Sequence, residues 1–182
     1  MRLQLLKQEI NVPQGATVAL VGQLLSAKGP KGEVKRQFDA PRVSIEKVDS
    51  KIVVSVKNAT KKDKTTVGSV TAHIKNIMQG VTQGFTYKLK ICSGHFPINV
   101  SIVGKQIIIK NFLGEKFPRI ADFPPNVTVK VVGQEILVES PDKEIAGCSA
   151  AIIEILTHVK GRDRRIFQDG IFIIQKDQKV IA

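Results

Sequence analysis

Tryptophan is missing from this chain of 182 residues, tyrosine occurs once, and eight phenylalanines are the only other aromatics. The core is therefore expected to be aliphatic and rich in Val and Ile. Cysteine is nearly absent too: Cys92 and Cys148 stand far apart, each within an apolar-patterned segment. Two buried free thiols in a reducing compartment are expected in preference to a disulfide. No apolar run approaches the ~20 residues of a spanning helix, the stretches Ala150–Ile153 and Ile107–Ile109 being typical. The opening Met1-Arg2-Leu3-Gln4-Leu5-Leu6-Lys7 has no apolar h-region or small-residue cleavage site, so a cytoplasmic chain is expected.

Acidic residues are the next scarcity, with 16 against 28 Lys and Arg, a net charge of +12. Such a surplus repels itself unless a polyanion compensates it, and nucleic acid is the commonest one. Up to Thr82 the chain carries 14 basic and 6 acidic residues, and from Gln83 onward 14 and 10. Both halves are basic, so the charge does not sit on a detachable tail.

Catalytic constellations are also lacking. His73, His95 and His158 form no H-x-x-x-H or C-x-x-C arrangement, so no metal site is expected. His73 and His158 are read as solvated or capping residues on the two helices described next. There is no G-x-S-x-G elbow, P-loop or G-x-G-x-x-G. Gly29-Pro30-Lys31-Gly32 resembles a phosphate-cradling loop only loosely, lacking the P-loop spacing and a Ser or Thr after the lysine. Neither a catalytic residue nor a cofactor is expected.

What the chain does contain is a duplication. Val67, Val70, Ile74, Ile77, Met78 and Val81 recur at helical spacing, as do Ile145, Cys148, Ile152, Ile155, Leu156 and Val159, each 78 positions further on. Thr65 or Thr66 is the expected start of the first helix, and Ser140 with Pro141 that of the second. Asp142 and Glu144 then put negative charge in the second helix's first turn. A β-hairpin is expected before each helix: Val43–Ile45 with Ile52–Val56 around Asp49-Ser50, and Val127–Val132 with Ile136–Val138 around Gly133-Gln134. Upstream, Gly32-Glu33 and Gly114-Glu115 lie 82 positions apart, so the copies differ by a few loop residues. A third hairpin, Val100–Val103 with Ile107–Lys110, opens the second copy. The expected fold is α+β, two duplicated domains over residues 1–82 and 83–182, each a mostly antiparallel sheet packed against one main helix. Gly80–Gly84, rich in turn formers, is the expected connection.

The strongest binding signal follows the second helix. Gly161 stands where a helix C-cap favours glycine. Arg162, Arg164 and Arg165, with Lys160, then present donors suited to phosphate. A helix dipole accounts for one or two such cations, not for four within six positions. Asp163 and Asp169 are expected to orient the arginines or accept from RNA hydroxyls. Lys31–Arg36 and Lys61-Lys62-Asp63-Lys64 are weaker signals, the latter read as a solvated loop before the first helix. Phe96 has two readings, stacking on a base or local packing. No helix-turn-helix, zinc finger or paired strand aromatics point to DNA.

The stretch Gly161-Arg162-Asp163-Arg164-Arg165-Ile166-Phe167-Gln168-Asp169-Gly170-Ile171, together with Val12-Pro13, Gly29-Pro30-Lys31-Gly32 and the duplicated halves, resembles the large-subunit ribosomal protein L-six family in its archaeal and eukaryotic form. The ending shortly after Val180 looks archaeal. The resemblance implies a non-catalytic protein that binds large-subunit rRNA near the base of the lateral stalk, the sarcin–ricin loop and the translation-factor site. Neighbouring ribosomal proteins would be its other partners. It implies RNA contacts at Lys160, Gly161, Arg162, Arg164, Arg165, Gln168, Asp169 and Gly170, with the Gly29–Gly32 loop as a second candidate; Lys31 and Gly32 there, and Lys35 in the basic run that follows, are the further contacts expected. Phe172 stands where many relatives carry tyrosine, so a hydroxyl contact is not expected there. Lys160–Asp169 is expected to be mobile without RNA. A free RNA-binding accessory module is the competing reading. A phosphate-transfer site on Arg164, Arg165 and Asp169 lacks a nucleophile and a base.

Overall fold

The computed structural model describes residues 3–181, and the chain forms two compact units that divide between Gly84 and Phe85. The first holds β1 (Leu3–Asn11), β2 (Thr17–Val21), β3 (Leu24–Gly29), β4 (Gly32–Gln37), β5 (Ser44–Val48), β6 (Lys51–Ala59) and α1 (Lys61–Thr82). Its strands make two antiparallel sheets, ordered β1-β6-β5 and β2-β3-β4. The second unit holds β7 (Phe85–Cys92), β8 (Asn99–Val103), β9 (Gln106–Lys110), β10 (Arg119–Asp122), β11 (Thr128–Val132), β12 (Glu135–Ser140), α2 (Lys143–Leu156), β13 (Gly170–Lys176) and β14 (Lys179–Val180). Its sheets run β10-β9-β8 and β11-β12-β7-β13-β14. Strand for strand, β7 answers β1, β8–β10 answer β2–β4, and β11–β12 answer β5–β6. The fold is α+β and duplicated, as the paired patterns predict. The addition is the hairpin β13–β14, which extends the second unit's sheet along the far edge of β7.

Both predicted pre-helix hairpins form, with Asp49 and Gly133 in the left-handed conformation that a tight turn requires (φ 49° and 59°). Each core is aliphatic. Leu25, Val54, Val67 and Ile74 are fully buried in the first unit, and Leu89, Ile136, Ile153 and Ile171 in the second. Each such side chain contributes roughly 1.5–3 kcal/mol.

The helix starts differ from expectation. α1 begins after Thr60, not at Thr65 or Thr66. The Thr60 hydroxyl accepts from the Asp63 amide, while the Asp63 carboxylate accepts from the Thr60 amide at 2.8 Å, a capping box. Lys61-Lys62-Asp63-Lys64 is therefore the first helical turn, not a solvated loop. The Thr60 amide and hydroxyl hold the Asp63 carboxyl below the usual aspartate range, burial opposes them, and Arg42 at 3.1 Å adds to the lowering. The second helix is capped by Asp142, whose carboxylate accepts from the Glu144 amide at 2.8 Å. Ser140, the expected start, sits two residues before the cap and accepts from the Asp142 amide.

A larger correction concerns the face α2 buries. The bulky series Ile145, Cys148, Ile152 and Ile155 is not the inner stripe: Cys148 is exposed and Ile155 is 71% exposed. The buried residues are Ala146, Ser149, Ala150 and Ile153. They answer Val67, Val70, Thr71 and Ile74 of α1, so the true offset is 79. Small residues let α2 lie close over β7, where Phe85 and Tyr87 fill the volume. Ala150→Leu should therefore destabilise by about 1–3 kcal/mol through overpacking. Cys148→Ser should stay within about 0.5 kcal/mol. Urea unfolding of the two variants checks the assignment, and a reversed order of effects would restore the bulky stripe to the core. Cys92 is half-buried, so neither free thiol is the fully buried one expected.

Candidate nucleic-acid interface

The second helix ends at Leu156 with Thr157 as its C-cap, earlier than Gly161 suggested, and His158 lies beyond it. Two features tie this end down. Thr157 is buried and accepts from the Ile171 amide at 2.9 Å, joining the helix end to β13. Arg119 donates to the carbonyls of Leu156 (2.7 Å) and His158 (3.1 Å) while its other nitrogens hold the Glu115 carboxylate. The Arg119 guanidinium also lies 4.2 Å from the Phe112 ring centroid. Its hydrogen bond to Glu115 lowers that carboxyl, against an upward push from burial. Arg119 thus does the helix-end work that the sequence reading gave to Gly161. Gly161 instead adopts a left-handed conformation (φ 68°) in the loop proper.

From there the chain builds a compact turn on Asp163. Its carbonyl accepts from the amides of Ile166 (3.2 Å) and Phe167 (2.9 Å), and its carboxylate from the Arg165 amide (2.9 Å). This is an aspartate turning its own backbone, so Asp163 does place the arginines, through the main chain. Gln168 donates to the Arg165 carbonyl at 3.1 Å and closes the loop.

Lys160, Gly161, Arg162, Arg164, Arg165 and Gln168 are all exposed on this loop. Arg162 lies 4.8 Å from the Phe167 ring centroid, and Arg164 bonds the His158 ring at 2.8 Å. The side chains of Lys160 and Arg165 have no ion-pair partner among the described residues. Asp169 and Gly170 differ from expectation: both are buried. Asp169 is 2% exposed, and its carboxylate is occupied by the amides of Gly94 and His95 and by the His95 ring Nδ1. Three donors and this burial leave little of the carboxylate to accept from an RNA hydroxyl. Gly170 is the first residue of β13, paired with Cys92.

Burial works to raise the Asp169 carboxyl, but the His95 amide, the His95 ring and the Gly94 amide outweigh it and hold it below the ordinary aspartate range. A lowered carboxyl contributes stability above its unfolded value near ~3.9, and loses it as pH falls through the folded value. The Tm difference between the native chain and Asp169→Asn should accordingly be widest at neutral pH and narrow on acidification below about pH 4. A gap unchanged with pH would show that the carboxylate charge contributes nothing to folding.

The second sequence-predicted cluster lies in the first unit. Gly29–Gly32 is the turn of the β3–β4 hairpin, not an anion cradle. The Lys31 amide donates to the Val81 carbonyl at the end of α1 (3.0 Å) and is not available to a phosphate. Lys35 is exposed and paired with Glu33 at 3.1 Å. The Lys31 side chain is exposed and Gly32 half-buried.

Several exposed apolar residues near the C-terminal loop were not anticipated. Phe117 is 85% exposed on the connection leading into Arg119, and Ile166 is 64% exposed within the loop. The available signal was the placement of Phe117 between Lys116 and Pro118, and of Ile166 directly after Arg165. Phe96 is half-exposed, with its ring against Gly114, which favours the packing reading. Beside the loop, a cleft of about 990 Å³ is lined by Cys92, His95, His158, Arg164, Phe167 and Phe172 among others. The described residues contain no cluster of His, Cys, Asp or Glu able to hold a metal ion. No described helix is long and apolar enough to cross a membrane.

Comparison with known proteins completes the picture. The family model described as ribosomal protein L6 matches twice, over residues 12–84 and 96–170. A protein named large ribosomal subunit protein uL6 from Methanosarcina mazei is 46% identical, covering 92% of this chain and 95% of its own length. Proteins of the same name from Aeropyrum pernix (45% identical; 93% and 94% covered) and Methanococcus vannielii (43%; 97% and 97%) are similarly related.

Proposed function

The chain belongs to the ribosomal protein L6 family, and on that premise we propose that it grips large-subunit rRNA through the loop between α2 and β13. As a member of the family it is a non-catalytic structural constituent of the large ribosomal subunit. The observation that carries the RNA contact is one exposed loop presenting Lys160, Arg162, Arg164 and Arg165 from a backbone that its own aspartates hold in shape. Charged forks on a fixed frame suit the regular spacing of phosphates. Exposed Ile166 and Phe117 add apolar surface for sugars or unstacked bases. Phosphate contacts supply most of the affinity, and the shape of folded RNA most of the specificity.

Lys160, Gly161, Arg162, Arg164, Arg165 and Gln168 are the proposed contact residues. Lys31 and Lys35 form a secondary basic surface, with Gly32 serving their turn. Asp169 and Gly170 belong to the site as its support. The proposed location is the stalk base, near the sarcin–ricin loop and the surface where translation factors dock. Neighbouring ribosomal proteins are the remaining partners, and no role on DNA or membranes is proposed.

Chemical footprinting of protein-free large-subunit rRNA tests this, with the native chain and the Arg162→Ala/Arg164→Ala/Arg165→Ala variant run together. A local footprint lost in the variant is expected. A footprint that survives the variant moves the interface to the Lys31–Lys35 hairpin. The absence of any footprint would rule out direct rRNA binding.

A further inference from the structure

We propose that Asp169 is a positioning residue for rRNA binding, aiming the Arg162 guanidinium through His95 and Phe167; this rests on the interface assigned above. Four observations connect the chain of contacts. The Asp169 carboxylate is held by three donors from Gly94 and His95. One of those donors is the His95 ring, so the carboxylate fixes the ring's orientation as well as its backbone. The His95 ring stacks on Phe167, with centroids 4.8 Å apart and planes at 27°. Phe167 in turn carries the Arg162 guanidinium at 4.8 Å.

An arginine stacked on an aromatic ring keeps its charge and has fewer rotamers to lose when a phosphate arrives. The same ties argue against the sequence expectation of a loop that orders only on RNA. Asp169, two residues after Phe167, is anchored to the segment following β7, and Asp163 closes the turn from the other side. Binding then costs little ordering entropy at this loop. Arg165 stands apart from the stack, because it is Arg162 and not Arg165 that lies over the Phe167 ring. It is the internal control.

Electrostatics makes the proposal sharp. Asp169→Asn keeps the size of the side chain and removes one negative charge from a protein that binds a polyanion. Charge alone predicts tighter binding and an unchanged or steeper salt slope. Positioning predicts the opposite sign: affinity for protein-free large-subunit rRNA falls about tenfold, and the slope of log K against log salt falls by about one unit.

The experiment measures that slope for the full native chain, Asp169→Asn, Arg162→Ala, Arg165→Ala and the two double variants that carry Asp169→Asn. Asp169→Asn and Arg162→Ala should be non-additive, since both remove the same contact, whereas Asp169→Asn and Arg165→Ala should add. In the NMR spectrum, the Arg162 side-chain resonances should lose their ring-current shift in Asp169→Asn. That signature is one that stability alone would not move. If Asp169→Asn fails to fold, His95→Ala removes the same link and should reproduce the slope change. Tighter binding, an unchanged slope, or full additivity with Arg162→Ala would overturn the positioning role. Should the triple arginine variant bind as well as the native chain, the interface itself fails, and that result is separable because it does not involve Asp169.

Discussion

Converting Arg162, Arg164 and Arg165 together to alanine should weaken binding to large-subunit rRNA by about 10²–10³-fold near physiological salt and reduce the salt slope by about 2–3 units. The three side chains project from one exposed loop, and each cation that neutralises a phosphate contributes roughly 0.7–0.9 to the slope. Folding should hardly change. The side-chain bonds involved are surface ones, Arg164 to His158 and Arg162 over Phe167, and surface substitutions usually stay within about 0.5 kcal/mol. The turn itself survives because Asp163 and Gln168 hold it through main-chain atoms of this segment. Affinity and slope measured between low and moderate salt, beside a thermal melt, check both halves. A lowered affinity with an unchanged slope would mean that the arginines act by shape or stacking, not by phosphate neutralisation.

Gly29→Ala should destabilise the first unit by about 2–4 kcal/mol, although Gly29 is not itself a proposed RNA contact. A Cβ at this position would stand 2.4 Å from the Val81 carbonyl oxygen and 2.9 Å from its carbon. Both are backbone atoms of the last turn of α1, which cannot swing aside as a flexible side chain could. The hairpin must retreat, and retreat breaks the Lys31 amide's bond to the same carbonyl. The Val81 carbonyl at the helix C-terminus then loses its donor, and the helix loses part of its packing on β3 and β4. Faster amide exchange at Lys31 and in the last turn of α1, with a lower Tm, is the expected result. Unchanged exchange there would show that the turn does not bear on the helix. The glycine that looked from sequence like part of a phosphate loop is a close-approach glycine.

Much of the architecture was legible because periodicity survives in both copies. The β-branched runs around Asp49 and Gly133 announced their hairpins, and both formed in the expected register around their turns. The stripe from Val67 to Val81 is buried as read. Its partner in α2 misled because that helix is apolar on more than one side. Periodicity alone ranked the bulky Ile145, Cys148 and Ile152 above the small residues Ala146, Ser149 and Ala150. Helix–sheet distance settles that choice, and it depends on Phe85 and Tyr87 across the interface. The strands that open the two units, β1 and β7, were not singled out either. Their partners lie far along the chain: Leu6 pairs with Val56, and Tyr87 with Val138.

The same division runs through the candidate site. Sequence by itself determined the basic surplus, the duplication, the absence of a catalytic constellation and the density of cations from Lys160 to Arg165, since these depend only on which residues are present and how they are spaced. The tertiary structure alone decided which polar groups of that segment face solvent. Asp169 and Arg165 stand four positions apart with similar polarity, yet one is sealed against Gly94 and His95 and the other projects freely. The partners that seal Asp169 lie 74 and 75 residues away. Burial is set by contacts across the fold, and local spacing carries no record of them.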